Sequence, residues 1–248
     1  MEDFLAACRR GDAESLVLHL SSIDDEQSLQ KGLFEAVKAE QVAVIALLLE
    51  HGVPIDRMSF TWAGKAESQE IWACFIDHGF DINTVEYGSS ALVRSTRNPP
   101  IVKWLLEHGA DPNLKMQKMR GSSYQTSALK SALASNKLES MRILVAHGAV
   151  LESELFDKCV APFLDDKIGV ETLQWLLDSG LDPNVIVDRG RGTPLQLAVR
   201  RGMLDKARAL LQAGSSMMVH NEDGETPLEE AQKVCNKEMV ELLASFES

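Results

Sequence analysis

Thr193-Pro194-Leu195 returns as Thr226-Pro227-Leu228, and this 33-residue interval constrains the fold more than any other feature of the chain. A fixed period of this length marks short units stacked side by side, not one globule around a single core. Between the copies lie a small-residue helix (Leu195 to Arg201), a break at Gly202, a second apolar helix (Leu204 to Gln212) and a closing Gly214. Each residue has a physical reason. Thr193 can cap the first helix by accepting an orphan backbone N–H, and Pro194 suits its first turn. Ala198 keeps that helix slim, so that the next unit can approach. Gly202 permits the reversal, and Gly214 suits the left-handed residue that ends the second helix. Leu210 and Leu211 present an apolar face that one unit cannot bury alone, so the motif implies an array.

The closing glycine sets the register. It falls at Gly52, Gly79, Gly109, Gly148, Gly180 and Gly214, at intervals of 27, 30, 39, 32 and 34 residues. The resulting units span approximately 1–22, 28–52, 58–79, 88–109, 126–148, 153–180, 191–214 and 224–248, filling 1–248 as a single domain. The connector from Val53 to Arg57 is too short for a full projecting turn, and Ala149 to Glu152 is curtailed as well. In the fourth unit, Asn98-Pro99-Pro100 stands where the seventh has its inter-helix glycine. The helix ELFDKCVAPF of the sixth fits the pattern poorly. Asp-x-Asn tripeptides follow three closing glycines (Asp81 to Asn83, Asp111 to Asn113, Asp182 to Asn184), as turns require.

This T-P-L…A…G…LL…G pattern resembles the ankyrin repeat over nearly the whole chain. The resemblance implies an all-α solenoid of about 7–8 helix-turn-helix units, with short or absent β-hairpin fingers at some joints. It also implies a partner-binding concave groove lined by the hairpin tips and the ends of the first helices.

Charge excludes some functions. A formal net charge of −12 argues against general affinity for nucleic acid or an anionic membrane. No secretory signal or membrane-length apolar run is visible. Cys8, Cys74, Cys159 and Cys235 lie far apart without a C-x-x-C, which suits reduced thiols in a cytoplasmic or nuclear protein.

Chemistry-bearing constellations are weak. His51, His78, His108 and His147 each precede a closing glycine, but helices packed about 10 Å apart hold them too far apart to share a zinc. Near a helix C-terminus each suits the dipole instead. Nucleophile and phosphate-loop motifs are absent from the sequence, and Arg189-Gly190-Arg191-Gly192 reads as an ordinary hairpin. Adjacent acids such as Asp165-Asp166 point apart on regular structure. Trp72, Trp104 and Trp175 read as core, as does Trp62. No cofactor, metal or catalytic residue is expected, and the chain is not read as an enzyme.

One pattern remains. The helix-end pairs are Arg9-Arg10, Lys38-Ala39, Lys65-Ala66, Arg97-Asn98, Ala134-Ser135, Arg200-Arg201 and Lys233-Val234, and six of these seven carry a cation in an acidic chain. The hairpin tips add Lys115, Lys118, Arg120, Arg189 and Arg191, with Tyr124 beside them. Such an edge would steer an acidic protein partner. It would equally complement helix dipoles. The expectation is a non-catalytic interaction module or adaptor, monomeric on its own, binding a protein partner through the groove. The alternative is a small-molecule-binding or catalytic solenoid with a pocket between residues 53 and 169, lined by Trp62, Arg94, Tyr124 and Arg97.

Overall fold

The computed structural model describes residues 1–23, 25–116, 126–160, 168–187 and 192–246. Among them every regular element is a helix, and the β-structure is an isolated bridge from Val187 to Gly192. Among the described residues the helices form eight consecutive pairs. They are α1 (Glu2–Arg10) with α2 (Ala13–Leu20), α3 (Glu26–Lys38) with α4 (Val42–Glu50), α5 (Arg57–Ala63) with α6 (Gln69–Asp77), and α7 (Ala91–Ser95) with α8 (Pro99–Glu107). The later pairs are α9 (Ala128–Ala134) with α10 (Leu138–Ala146), α11 (Leu155–Cys159) with α12 (Val170–Asp178), α13 (Pro194–Arg200) with α14 (Leu204–Gln212), and α15 (Pro227–Lys233) with α16 (Lys237–Ala244). The all-α solenoid architecture with reduced β-fingers is therefore the observed one. None of the helices described is long and apolar enough to cross a membrane.

The chain divides into two compact bodies, Met1–Ala132 with Glu139–Ala149, and Leu133–Leu138 with Val150–Ser248. In the first body, α1 packs on α3 and α3 on α5, while α2 packs on α4 and α4 on α6. In the second, α13 packs on α15, and α12 on α14 and α14 on α16. First helices thus stack on first helices and second on second.

One small residue per first helix makes that stacking possible. Ala7, Ala36, Ala63, Ser95 and Ala132 fill this position in the first body, and Cys159, Ala198 and Ala231 in the second; none is more than 1% exposed. The poorly fitting helix α11 obeys the rule after all, with a cysteine in the slim position. Its short C-terminus is served by Lys206 of α14, itself buried, whose Nζ donates to the Cys159 carbonyl at 2.7 Å. The two prolines of the fourth pair open α8, behind Asn98 as its cap.

The Asp-x-Asn turns do more than close locally. Asp81, Asp111 and Asp182 each accept the N–H of the asparagine two residues on. Asn83 Nδ2 then donates to the Gly109 carbonyl at 3.0 Å, Asn113 to Gly148 at 2.9 Å and Asn184 to Gly214 at 3.2 Å. Each asparagine staples its loop to the closing glycine of the next repeat. Thr193 and Gln196 form a capping box, and the buried Gln196 Nε2 reaches the Val219 and Glu225 carbonyls of the following loop.

Gly64, the C-cap of α5, lies tight against Arg94 of α7. A Cβ there would overlap the Cβ of Arg94 and crowd its backbone, neither of which can swing away. Gly64→Ala should therefore force the two helices apart and cost about 1–3 kcal/mol, read as a lowered denaturant midpoint. An unchanged midpoint would mean that the contact is slack.

Candidate functional site

The cations expected on the recognition edge stand two positions beyond the small residue in six of the eight first helices: Arg9, Lys38, Lys65, Arg97, Arg200 and Lys233. For Arg9, Lys38 and Arg200, the residue just before the small one in the next repeat is what they meet. Arg9 Nε donates to Glu35 Oε2 at 2.8 Å, and Arg200 Nε to Glu230 Oε1 at 2.6 Å. Glu230 is only 5% exposed, so the second pair is a partly buried structural bond. Lys233 Nζ instead turns back to Glu225 Oε1 at 2.7 Å. These carboxylates raise the pKa values of Arg9 and Lys233 above their ordinary values, mainly by direct hydrogen bonding. Arg9, Arg200 and Lys233 are thus engaged within the chain.

The middle of the edge differs. Where Glu35 and Glu230 stand in repeats two and eight, repeats three and four have Trp62 and Arg94. Lys38 Nζ lies 5.6 Å above the Trp62 ring and Lys65 Nζ 4.6 Å, both within cation–π range. Phe34 meets the same ring edge-on at 6.0 Å. Trp62 is half-buried, so the sequence reading of it as core is only partly met. Arg94 meets no carboxylate among the described residues. Its Nε is buried without a hydrogen-bond partner, and burial first, then the charge of Arg57, lower its pKa from the ordinary guanidinium value. An arginine does not lose its proton under such pressure. It stays charged in a place that would gain from an anion.

The other expected residues fall into place around this centre. Arg10 and Arg97 are exposed, as is Lys115. Asn98 Oδ1 accepts the Ile101 N–H as the cap of α8, and Arg201 is half-buried at the end of α13. Lys118, Arg120, Tyr124, Arg189 and Arg191 lie outside the described residues. Sequence reasoning missed Glu35, Glu225, Glu230 and Arg57. The signal for Glu35 and Glu230 was present, because an acid just before the small residue faces the cation of the preceding repeat.

Remaining candidates resolve to structure. His78, His108 and His147 each turn Nδ1 onto the carbonyl four residues back, at 2.7–2.8 Å. Trp104 and Trp175 are half-buried, not core, and Trp72 alone of the four tryptophans is fully enclosed. Burial pushes the Cys8 and Cys74 thiols up to about 11 and that of Cys159 to about 12, which keeps them protonated and unreactive. A cavity of about 470 Å³ opens between 51–56 and 78–87, but Trp62, Arg94 and Arg97 do not line it.

Known proteins share the repeat fold. The family model described as "Ankyrin repeats (3 copies)" matches residues 33–116 and 166–248. The human palmitoyltransferase ZDHHC13 is 27% identical over 242 residues, covering 94% of this chain and 37% of that protein. The potassium channel GORK of Arabidopsis thaliana is 38% identical over 71 residues, or 29% of this chain and 8% of the channel. The chain thus spans less than two fifths of either relative. Among solved structures, the ankyrin repeat domain of Bcl-3 matches with a TM-score of 0.52 at 20% identity, covering 98% of this chain and 97% of that one. The human ASB11 ankyrin repeat domain gives 0.52 at 19%, covering 99% and 97%. The 33-residue period, the slim position filled in every first helix and a family match over most of its length agree that this chain belongs to the ankyrin-repeat family.

Proposed function

We propose that the chain is a non-catalytic protein-interaction module whose partner presents an acidic segment to the ends of α3, α5 and α7. Ankyrin repeats are in general protein–protein interaction modules, and the fold is typically non-enzymatic. What carries the finer reading is Arg94, a charged group whose buried Nε has no partner among the described residues, next to Lys38 and Lys65, which lie over the Trp62 ring. Lys38, Lys65 and Arg97 flank it along the edge, and the Trp62 ring holds the Lys38 and Lys65 ammonium groups in place there. Preformed helices add little ordering cost on binding. Hence the groove expected from the resemblance is proposed at these first-helix ends, with Arg9, Arg200 and Lys233 as structural charges. The transferase activity in the human relative's name belongs to a protein of which this chain spans 37%, and it is not carried over. In this reading the eight repeats serve as one domain over 1–248, monomeric on its own. The free thiols Cys8, Cys74, Cys159 and Cys235 support a cytoplasmic or nuclear setting.

A fluorescently tagged deca-glutamate peptide, titrated at low and at about 0.15 M salt, tests the proposal. The Lys65→Glu/Arg97→Glu variant should bind about tenfold more weakly, with a flatter salt dependence. Equal affinity and equal salt dependence in the variant would remove the acidic-partner reading.

A further inference from the structure

A short joint of the first body leaves a built cavity beside a long one. Only six residues (51–56) separate α4 from α5, whereas thirteen (78–90) separate α6 from α7. The short connector cannot cover the flank of the longer one, and about 470 Å³ remains open between them. That lies in the usual range for ligand sites, about 300–1,000 Å³.

Its walls are aromatic and fixed. Tyr87 stacks on Phe80 at 6.3 Å and 17°, and on the buried Phe60 at 4.9 Å and 26°. The Tyr87 hydroxyl donates to the Ile55 carbonyl at 3.0 Å, which ties the short connector to the opposite wall. Pro54 and Ile55 complete that side. The charged lining is acidic: Asp81 and Glu86 border the space, and His78, held on the Cys74 carbonyl, is the imidazole among the liners. Neighbouring groups report the same sign of field. After burial, Glu86 and Asp56 raise the Tyr87 phenol, and Asp77 and Glu50 raise the Cys74 thiol.

We propose that this cavity receives an arginine side chain from a partner protein, its guanidinium against Phe80 and Tyr87 and its N–H groups toward Asp81 and Glu86. A planar, weakly hydrated cation suits aromatic walls and carboxylates together, which neither an ammonium nor an apolar side chain does equally well. The site is separate from the first-helix ends and has the opposite charge. It does not depend on the acidic-partner reading.

The probe is acetyl-Gly-Arg-Gly-amide, titrated into the ¹⁵N-labelled full chain and followed by amide chemical shifts. Saturable shifts at Gly79, Thr84 and Tyr87 are expected in the millimolar range. Glu86 is exposed and at the rim, so Glu86→Lys should fold normally and weaken the response by about tenfold. The matching lysine tripeptide should bind several-fold more weakly, and the glutamate tripeptide should leave these amides unmoved. Three results would overturn the proposal: no saturable shift at these amides, equal binding of the lysine or glutamate probe, or an unaltered response in a Glu86→Lys chain whose remaining spectrum is native.

Discussion

Replacing Trp72 by alanine should cost about 3–5 kcal/mol, the largest loss expected from a single truncation in the first body. Trp72 is fully enclosed. It meets Phe60 edge-on at 5.7 Å, Phe75 edge-on at 6.0 Å and Phe80 at a tilt at 5.9 Å, and Phe60 and Phe80 carry Tyr87 in turn. Five aromatic rings therefore lean on one another across α5, α6 and the loop that follows. The indole Nε1 is buried without a hydrogen-bond partner, which already costs the fold about 1–3 kcal/mol. Trp72→Phe gives up some volume but also discards that unpaired N–H. It should stay within about 1.5 kcal/mol of the parent, while Trp72→Ala should not. Because repeat arrays are stabilised mainly through nearest neighbours, the loss should be local. Hydrogen exchange should accelerate in α5, α6 and α7 and leave α13 to α16 protected. If the alanine and phenylalanine variants unfold at the same denaturant midpoint, the cluster is not the source of stability described here.

The same cluster shows what one sequence can and cannot disclose. Period and chain reversals were legible because they rest on residue types with few substitutes: the closing glycines, Thr-Pro at helix starts, one slim residue per first helix. Even there, chemistry can hide the rule. Cys159 fills the alanine position of α11, and Glu40, Asn136 and Cys235 adopt the left-handed conformation that Gly202 supplies in the seventh repeat. Contacts between repeats were harder to see. The asparagine of each Asp-x-Asn turn looked local, yet its amide spans 26 to 35 residues to the next closing glycine. Trp104 and Trp175 read as core from their place in an apolar helix, but that position is only half-buried whatever fills it: Leu47 and Ile143, which hold it in the second and fifth repeats, are half-buried too. The basic edge was visible as composition, whereas its division into engaged and unengaged cations depends on the facing residue one repeat on.

That division reverses the natural choice of test residue. Arg200 and Arg201 form the most conspicuous basic pair in the sequence, and reversing their charge is the obvious way to probe an acidic partner. The structure makes it a folding experiment. Glu230 has about 5% of its surface exposed, and Arg200 meets it at 2.6 Å, with its own side chain 34% exposed. Arg200→Glu would remove the cation from a nearly buried carboxylate and put a second carboxylate beside it. Breaking such a pair from one side costs roughly 3 kcal/mol, because the remaining charge is left desolvated. Arg200→Met with Glu230→Leu removes both charges and fills a similar volume, so it should lose much less, on the order of 1 kcal/mol or none. Chemical denaturation of the single and double variants separates the two cases, with exchange in α13 and α15 locating the loss. Equal stability of Arg200→Glu and the parent would show that the pair is dispensable and return Arg200 to the set of charges available to a partner. If the single variant is unstable and the double variant is not, any loss of peptide binding on Arg200→Glu reports damaged packing of α13 on α15. Lys65 and Arg97, which pair with no acid among the described residues, are then the substitutions that address recognition.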